Sequence, residues 1–332
     1  MMTRIRDMIR ARTGESGPGA AIGIWREGRP VLCEGYGHAA RGGRPIGVKT
    51  VFDTASVSKM FTALCVLILE RRHLLSIDDP LADLLPKMRT AAPGVTIRHL
   101  LNHVSALPDY MELFDARGWG LAHRLGMDAT LEVLSAQPPP AVRPGTRYSY
   151  SNSGYVLLSA IVERISGQSL AQFAQENVFA PLGMNHSCYV DAMPAQMPAL
   201  ARSYESAEGP EVLPMWEMTG DGQVYSTTED LGRWALELMR PSLFADLIPQ
   251  LRTPATLTDG SRTAYGAGMQ LETLDERPVF GHDGGWAGFR SSLLVAPDAG
   301  LGIALLANRA DFATGELARS ILLELLAASD GK

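Results

Sequence analysis

Residues 53–69 read Asp53-Thr54-Ala55-Ser56-Val57-Ser58-Lys59-Met60-Phe61-Thr62-Ala63-Leu64-Cys65-Val66-Leu67-Ile68-Leu69. Beyond Lys59 the apolar residues crowd most faces at helical spacing, which predicts a helix over residues 57–74, buried nearly all round and central to the fold. Ser56 and Lys59 stand three residues apart on one face of its first turn, so their side chains can meet. A serine hydroxyl is a poor nucleophile until a neighbouring base takes its proton. A lysine can be that base where burial and the positive end of a helix disfavour its charge. Taken alone, Ser-x-x-Lys is a weak pattern that reads first as a helix cap with a solvated lysine.

On the amino-terminal side, Ile5, Met8 and Ile9 recur at helical spacing until Gly14, Gly17, Pro18 and Gly19 break the pattern. Residues 20–25 and 30–36 then read as the two strands of a hairpin, with Glu27-Gly28 at its turn. On the carboxy-terminal side, residues 78–205 read as helical segments and loops. Thr227 opens a capped helix over residues 231–239, and residues 291–295 and 302–306 read as strands joined through Pro297-Asp298-Ala299-Gly300. A last helix covers about residues 315–328. Strands at both ends around a helical middle predict an α/β (α+β) fold. One sheet, assembled from both termini, is flanked by helices. The expected division within a single domain is an α/β lobe of about residues 1–55 and 221–332 and a helical lobe of about residues 56–220, with a ligand cleft between them.

Composition narrows the partners. The 332 residues carry 30 Lys plus Arg against 36 Asp plus Glu, a formal charge of −6 with no basic run, which argues against nucleic acid. The longest apolar stretch, residues 61–69, is far short of the ~20 residues that span a bilayer, and the amino terminus lacks the apolar core of a signal peptide. A cytoplasmic protein without a membrane partner is expected. Cys33, Cys65 and Cys188 are an odd number at wide spacing and read as buried free thiols.

Two further stretches are unremarkable singly. Tyr150-Ser151-Asn152 is a polar loop ahead of an apolar helix, and Gly281-His282-Asp283-Gly284-Gly285-Trp286 is a glycine-rich strand that lets another backbone or a substrate come close. In order, Ser-x-x-Lys, Tyr-x-Asn and His-x-Gly resemble the three motifs of the serine β-lactamase and penicillin-binding protein superfamily. The variants are similar to those of the branch that groups class C β-lactamases, D-alanyl-D-alanine carboxypeptidases, D-aminopeptidases and esterases of β-lactamase fold. Ile77-Asp78-Asp79-Pro80-Leu81, the run from Ile97 through His103 to Leu107, Pro181-Leu182-Gly183-Met184, Ser226-Thr227-Thr228-Glu229-Asp230-Leu231 and Tyr265-Gly266-Ala267-Gly268-Met269 support the match, which covers about residues 18 to 310.

The resemblance implies a β-lactamase/transpeptidase-like fold with an antiparallel sheet, and acyl transfer without metal or cofactor. Ser56 attacks a carbonyl, Lys59 and Tyr150 share the proton traffic as a coupled pair, and Asn152 orients Lys59 or binds a substrate amide. The oxyanion would lie between the backbone N–H groups of Ser56 and Gly285, with Gly284, Trp286 and Tyr110 near the substrate. His282 stands where many relatives carry lysine. A mostly uncharged imidazole holds a substrate carboxylate less firmly, which disfavours typical penicillins. The expected substrate is a small ester, with a D-amino-acid amide as the alternative. Transfer to a biosynthetic acceptor and a non-catalytic binding relative are the other readings, and no motif speaks to oligomeric state.

Rival sites read as packing. His99 and His103 are spaced i, i+4, but Leu100 occupies the place of the glutamate in a His-Glu-x-x-His metal motif, so both are assigned to a helix face. Cys65 belongs to the core. Met215, Trp216, Tyr110 and Trp286 are candidates for an acyl pocket built from loops around residues 105–125 and 203–222. Tyr148 competes with Tyr150, and spacing to Asn152 selects Tyr150.

Overall fold

A computed structural model describes residues 1–13, 17–190 and 199–330. Its strands are β1 (Ala20–Arg26), β2 (Arg29–Tyr36), β3 (Phe52–Asp53), β4 (Cys188–Tyr189), β5 (Val224–Ser226), β6 (Gln270–Leu274), β7 (Arg277–Trp286), β8 (Phe289–Ala296) and β9 (Leu301–Ala307). Six of them form one sheet in the order β2-β1-β9-β8-β7-β6, and every pairing in it is antiparallel. The hairpin expected at the amino end is present. Glu27 and Gly28 both take positive φ, 52° and 78°, as a two-residue turn matched to strand twist requires.

Alternation along the strands gives the sheet two apolar faces. Ile22, Ile24, Ile303 and Leu305 pack with Ile5 and Ile9 of the helix Met2–Thr13 and with Leu317, Ile321 and Leu325 of the helix Thr314–Asp330. Leu293, Val295, Ala304 and Leu306 face the opposite way, into the larger core that holds the helices Thr228–Met239 and Ser58–Arg71. Trp234 and Phe61, with ring centroids 5.2 Å apart, join those two helices. Thr227 caps the first of them by accepting from the Asp230 N–H.

The central helix is shorter than its apolar pattern suggested. It ends at Arg71, where Leu74 N–H donates to Leu69 O and His73 N–H to Glu70 O while His73 takes φ 57°, a Schellman closure. The small sheet β3-β5-β4 was not foreseen, because strands of two or three residues carry no periodicity. Of the cysteines only Cys65 is buried; Cys188 is half-buried and Cys33 is exposed on β2, which corrects the expectation for those two. Among the described residues no helix is long and apolar enough to cross a membrane.

Candidate active site

Ser56 lies just ahead of the central helix, in the 3₁₀ turn Ala55–Val57, and not in the helix itself. Ala55 takes φ 49°, a left-handed conformation that costs a non-glycine residue about 1 kcal/mol or more. Neighbouring hydrogen bonds hold it there. Asp53 Oδ1 accepts from the Ala55 N–H at 2.8 Å, Thr54 N–H and Oγ1 both donate to Val224 O, and Ser291 Oγ donates to Thr54 O at 2.6 Å. Burial pushes the Asp53 carboxyl up to about 7, and its Oδ2 has no hydrogen-bond partner among the described residues.

Lys59 follows three residues later in the first turn of the helix Ser58–Arg71, on the face shared with Ser56, and its Nζ contacts Ser56 Oγ at 3.1 Å. The lysine is wholly buried, and its other donors go to Asn152 Oδ1 at 2.9 Å and the backbone oxygen of Asp221 at 2.7 Å. Tyr150, from the loop before the helix Asn152–Ser166, donates its hydroxyl to the same Ser56 Oγ at 3.0 Å. Tyr148 does not take part: it is exposed and packs edge-on against His103.

Tyr150 rests on an aromatic bed absent from the sequence reading. His103 lies 4.2 Å from it, centroid to centroid, and Tyr265 stands edge-on at 6.2 Å. The helix Ile97–Leu101 ends before His103, so the two histidines do not share a helix face as expected. His99 takes part in the capping box with Thr96, whereas His103 takes φ 55° and accepts from the Ser151 N–H at Nδ1. Burial, with Lys59 nearby, holds the His103 imidazole neutral.

The expectation that His282 meets substrate is corrected. It is 1% exposed, beneath Tyr150 and outside the cavity lining, with Nδ1 donating to Asp283 O and Nε2 accepting from Tyr265 Oη at 2.9 Å. Burial lowers its pKa to about 3, so it presents no cation. The Asp283 side chain is tied instead to Ser292 Oγ and Arg319. Gly284 is also behind the wall. A Cβ there would sit 2.6 Å from Thr54 O and 3.0 Å from Ser56 N, so glycine is what lets β7 lie against the Ser56 turn.

In front of Ser56 is a cavity of about 180 Å³. Gly285 and Trp286 line it from β7, whose pairing with β6 stops opposite Gly281, leaving that edge without a neighbouring strand. Tyr110 and Met111 come from one expected loop, Trp216, Met218 and Asp221 from the other. From the second loop it is Met218, not Met215, that joins Met111 in the wall. The two tryptophan rings are 5.1 Å apart, and Tyr110 Oη donates to Asp221 Oδ2 at 2.9 Å. Asp53, Asp109 and Asp221 escaped the sequence reading; of these only Asp109 carries a local signal, as the cap of the helix Tyr110–Asp115.

An antiparallel sheet between helical layers, with Ser, Lys and Tyr converging on one oxygen, defines a class that the comparisons name. The family model described as Beta-lactamase matches residues 5–328, and the chain belongs to that family. It is 32% identical to penicillin-binding protein 4* of Bacillus subtilis (strain 168) over 270 residues, 76% of this chain and 59% of that protein. It is 29% identical to a D-aminopeptidase of Gluconobacter oxydans (strain 621H) over 303 residues, 88% of this chain and 56% of that protein. The chain thus spans less than two thirds of the length of either relative. Among solved structures, the octameric penicillin-binding protein homologue from Pyrococcus abyssi superposes with a TM-score of 0.83 at 26% identity, covering 98% of this chain and 76% of that one.

Proposed function

We propose that this protein is a serine hydrolase that takes an acyl group from a small ester or amide onto Ser56 and releases it to water. The observation that carries the reading is the placement of Ser56 Oγ between Lys59 Nζ at 3.1 Å and Tyr150 Oη at 3.0 Å. Two of the lysine's contacts are to carbonyl oxygens, which only accept. The third is to a hydroxyl that can donate as well as accept, so the geometry suits Lys59 as ammonium or as amine. Lys59 and Tyr150 act in this reading as one coupled pair that takes the Ser56 proton and returns it to the leaving group.

The backbone N–H groups of Ser56 and Gly285 would receive the developing oxyanion, each worth roughly 3 kcal/mol. The strained Ala55 turn and the close approach allowed by Gly284 support this role, since together they set the nucleophile beside the free edge of β7. Among the described residues none that lines the cavity is cationic, and His282 is buried neutral. That disfavours substrates held by a carboxylate.

The test uses wild type and Ser56→Ala with p-nitrophenyl acetate and p-nitrophenyl butyrate, following nitrophenolate release and any acyl adduct by intact mass. Sustained turnover and an adduct in the wild type, both lost in the variant, support the reading. Neither turnover nor adduct in the wild type, with these esters and with D-alanine p-nitroanilide alike, overturns it.

A further inference from the structure

Tyr150 stands in a loop and is 37% exposed, yet its hydroxyl meets Ser56 Oγ at 3.0 Å. Burial alone does not fix a loop side chain so open to solvent, and a neighbour has to supply the constraint.

His103 holds the segment at three points. Its backbone oxygen accepts from the Ser149 N–H at 2.8 Å, its Nδ1 accepts from the Ser151 N–H at 3.2 Å, and its ring lies against the Tyr150 ring, centroids 4.2 Å apart. The hydrogen bonds therefore pin the chain on either side of Tyr150, and the ring contact supports the side chain that they bracket. Tyr148, Tyr155 and Tyr265 stand around the same imidazole, with centroids 6.2, 5.1 and 4.6 Å away.

Packing by itself does not call for histidine here. The residue is 1% exposed and takes φ 55°, a strained conformation for any side chain other than glycine. With Nδ1 accepting, the ring proton is on Nε2, and that buried N–H has no hydrogen-bond partner among the described residues. Leucine or phenylalanine would fill such a space without an orphan donor, which is costly to bury. What imidazole adds is an acceptor on a flat ring, and both features serve the contacts with the Tyr150 segment. Burial keeps the ring neutral and so leaves the Nδ1 lone pair available.

We infer that His103 is a positioning residue for proton transfer, holding Tyr150 Oη on Ser56 Oγ by fixing the backbone on both sides of Tyr150 and supporting its ring. The inference rests on the acyl-transfer reading above and adds to it a residue that stands outside the cavity lining.

The experiment is a double-mutant cycle on hydrolysis of p-nitrophenyl butyrate, or of D-alanine p-nitroanilide where the wild type turns over only that. His103→Asn and His103→Phe are each made in the wild type and in Tyr150→Phe. Asn keeps an acceptor for the Ser151 N–H and tolerates positive φ, whereas Phe keeps the ring and loses the acceptor. Each should lower kcat by about tenfold or more with KM within about twofold, since only the placement of the hydroxyl changes. In Tyr150→Phe, which has no hydroxyl to place, the same substitutions should lower kcat by less than about twofold. A residue that merely supports the fold costs as much in either background, so equal losses overturn the inference, as do His103 variants as active as the wild type. Melts identify any variant that fails to fold, and the other then completes the cycle. Nitrogen NMR of the wild type at neutral pH needs no variant: His103 should show a bare Nδ1 and a protonated Nε2, and a protonated Nδ1 overturns the inference.

A Tyr150→Phe variant as active as the wild type overturns this inference alone and leaves acyl transfer by Ser56 standing. Neither turnover nor an adduct on Ser56 in the wild type, with p-nitrophenyl butyrate and D-alanine p-nitroanilide alike, overturns the acyl-transfer reading and the inference with it.

Discussion

The carboxylate of Asp109 decides which way the amide of Asn152 faces. Asp109 Oδ2 accepts from Asn152 N–H at 2.7 Å and from Nδ2 at 3.0 Å, which leaves Oδ1 turned to Lys59. A carboxylate can only accept, so the opposite orientation of the amide would set oxygen against oxygen on one side and donor against ammonium on the other. Asp109 therefore positions Lys59 at one remove, and its Oδ1 also caps the helix Tyr110–Asp115 through Met111 N–H.

Replacing Asp109 with Ala should lower kcat for p-nitrophenyl butyrate by about 10²-fold, the penalty for losing about 1 Å of placement at a reacting group. It should cost about 1 kcal/mol of stability from the lost cap. Asp109→Asn, which can still accept for the cap, should recover most of the stability and less of the rate. Thermal melts beside steady-state kinetics separate the two effects, and equal recovery of both would make Asp109 merely a cap.

Tyr150→Phe keeps the ring on His103 and removes the hydroxyl bonded to Ser56 Oγ. Its kcat should fall by about 10²- to 10⁴-fold, the range for a general acid–base group, with the melting temperature little changed. A variant within threefold of the wild type would remove Tyr150 from the proton traffic.

Asp53 has a pH signature of its own. Its folded pKa, about 7, is raised above the ordinary 3.8, so the unfolded chain gives up this proton first. Stability from this group is present below pH 3.8, is lost as pH rises through 7, and stays lost above. Asp53→Asn can still accept from the Ala55 N–H, so its stability relative to wild type should improve from pH 4 to pH 8. Asp53→Ala removes that acceptor and should lose activity by about 10²-fold as the Ala55 turn relaxes. Melts at the two pH values and a p-nitrophenyl butyrate assay check both points.

His282 titrates with the opposite sign. Its folded pKa of about 3 lies below the ordinary 6.5, so the unfolded chain binds the proton first and stability falls as pH drops from 6.5 toward 3. His103 contributes in the same direction. The wild-type melting temperature should therefore fall between pH 7.5 and pH 5, and His282→Gln should show a smaller fall. An equal fall in both proteins would mean that His282 already titrates normally when folded.

Gly284→Ala tests the contact between β7 and the Ser56 turn. The added methyl would meet Ser291 Oγ and, at 2.6 Å, Thr54 O, which is backbone already fixed by Ser291. Stability should drop by about 1–3 kcal/mol and activity by about 10²-fold as the strand edge moves away. Normal kinetics in this variant would show that the two elements need not touch.

What the sequence settled by itself was whatever lies close together along the chain. Ser56 and Lys59 meet through local turn geometry, the Glu27-Gly28 hairpin follows from residues that tolerate positive φ, and the two faces of β1, β8 and β9 follow from alternation. The family likewise rested on short motifs whose order needs no structure. Tertiary folding alone decided what crosses between distant segments: Asp109 turning Asn152, Asp221 opening its carboxylate onto an aromatic cavity, and His282 passing beneath Tyr150 instead of facing the cavity. Those contacts join residues 43 to more than 100 positions apart, and their energies come from burial and from exclusion of water. Spacing in a chain does not record either, because desolvation belongs to the packed assembly and not to any local stretch.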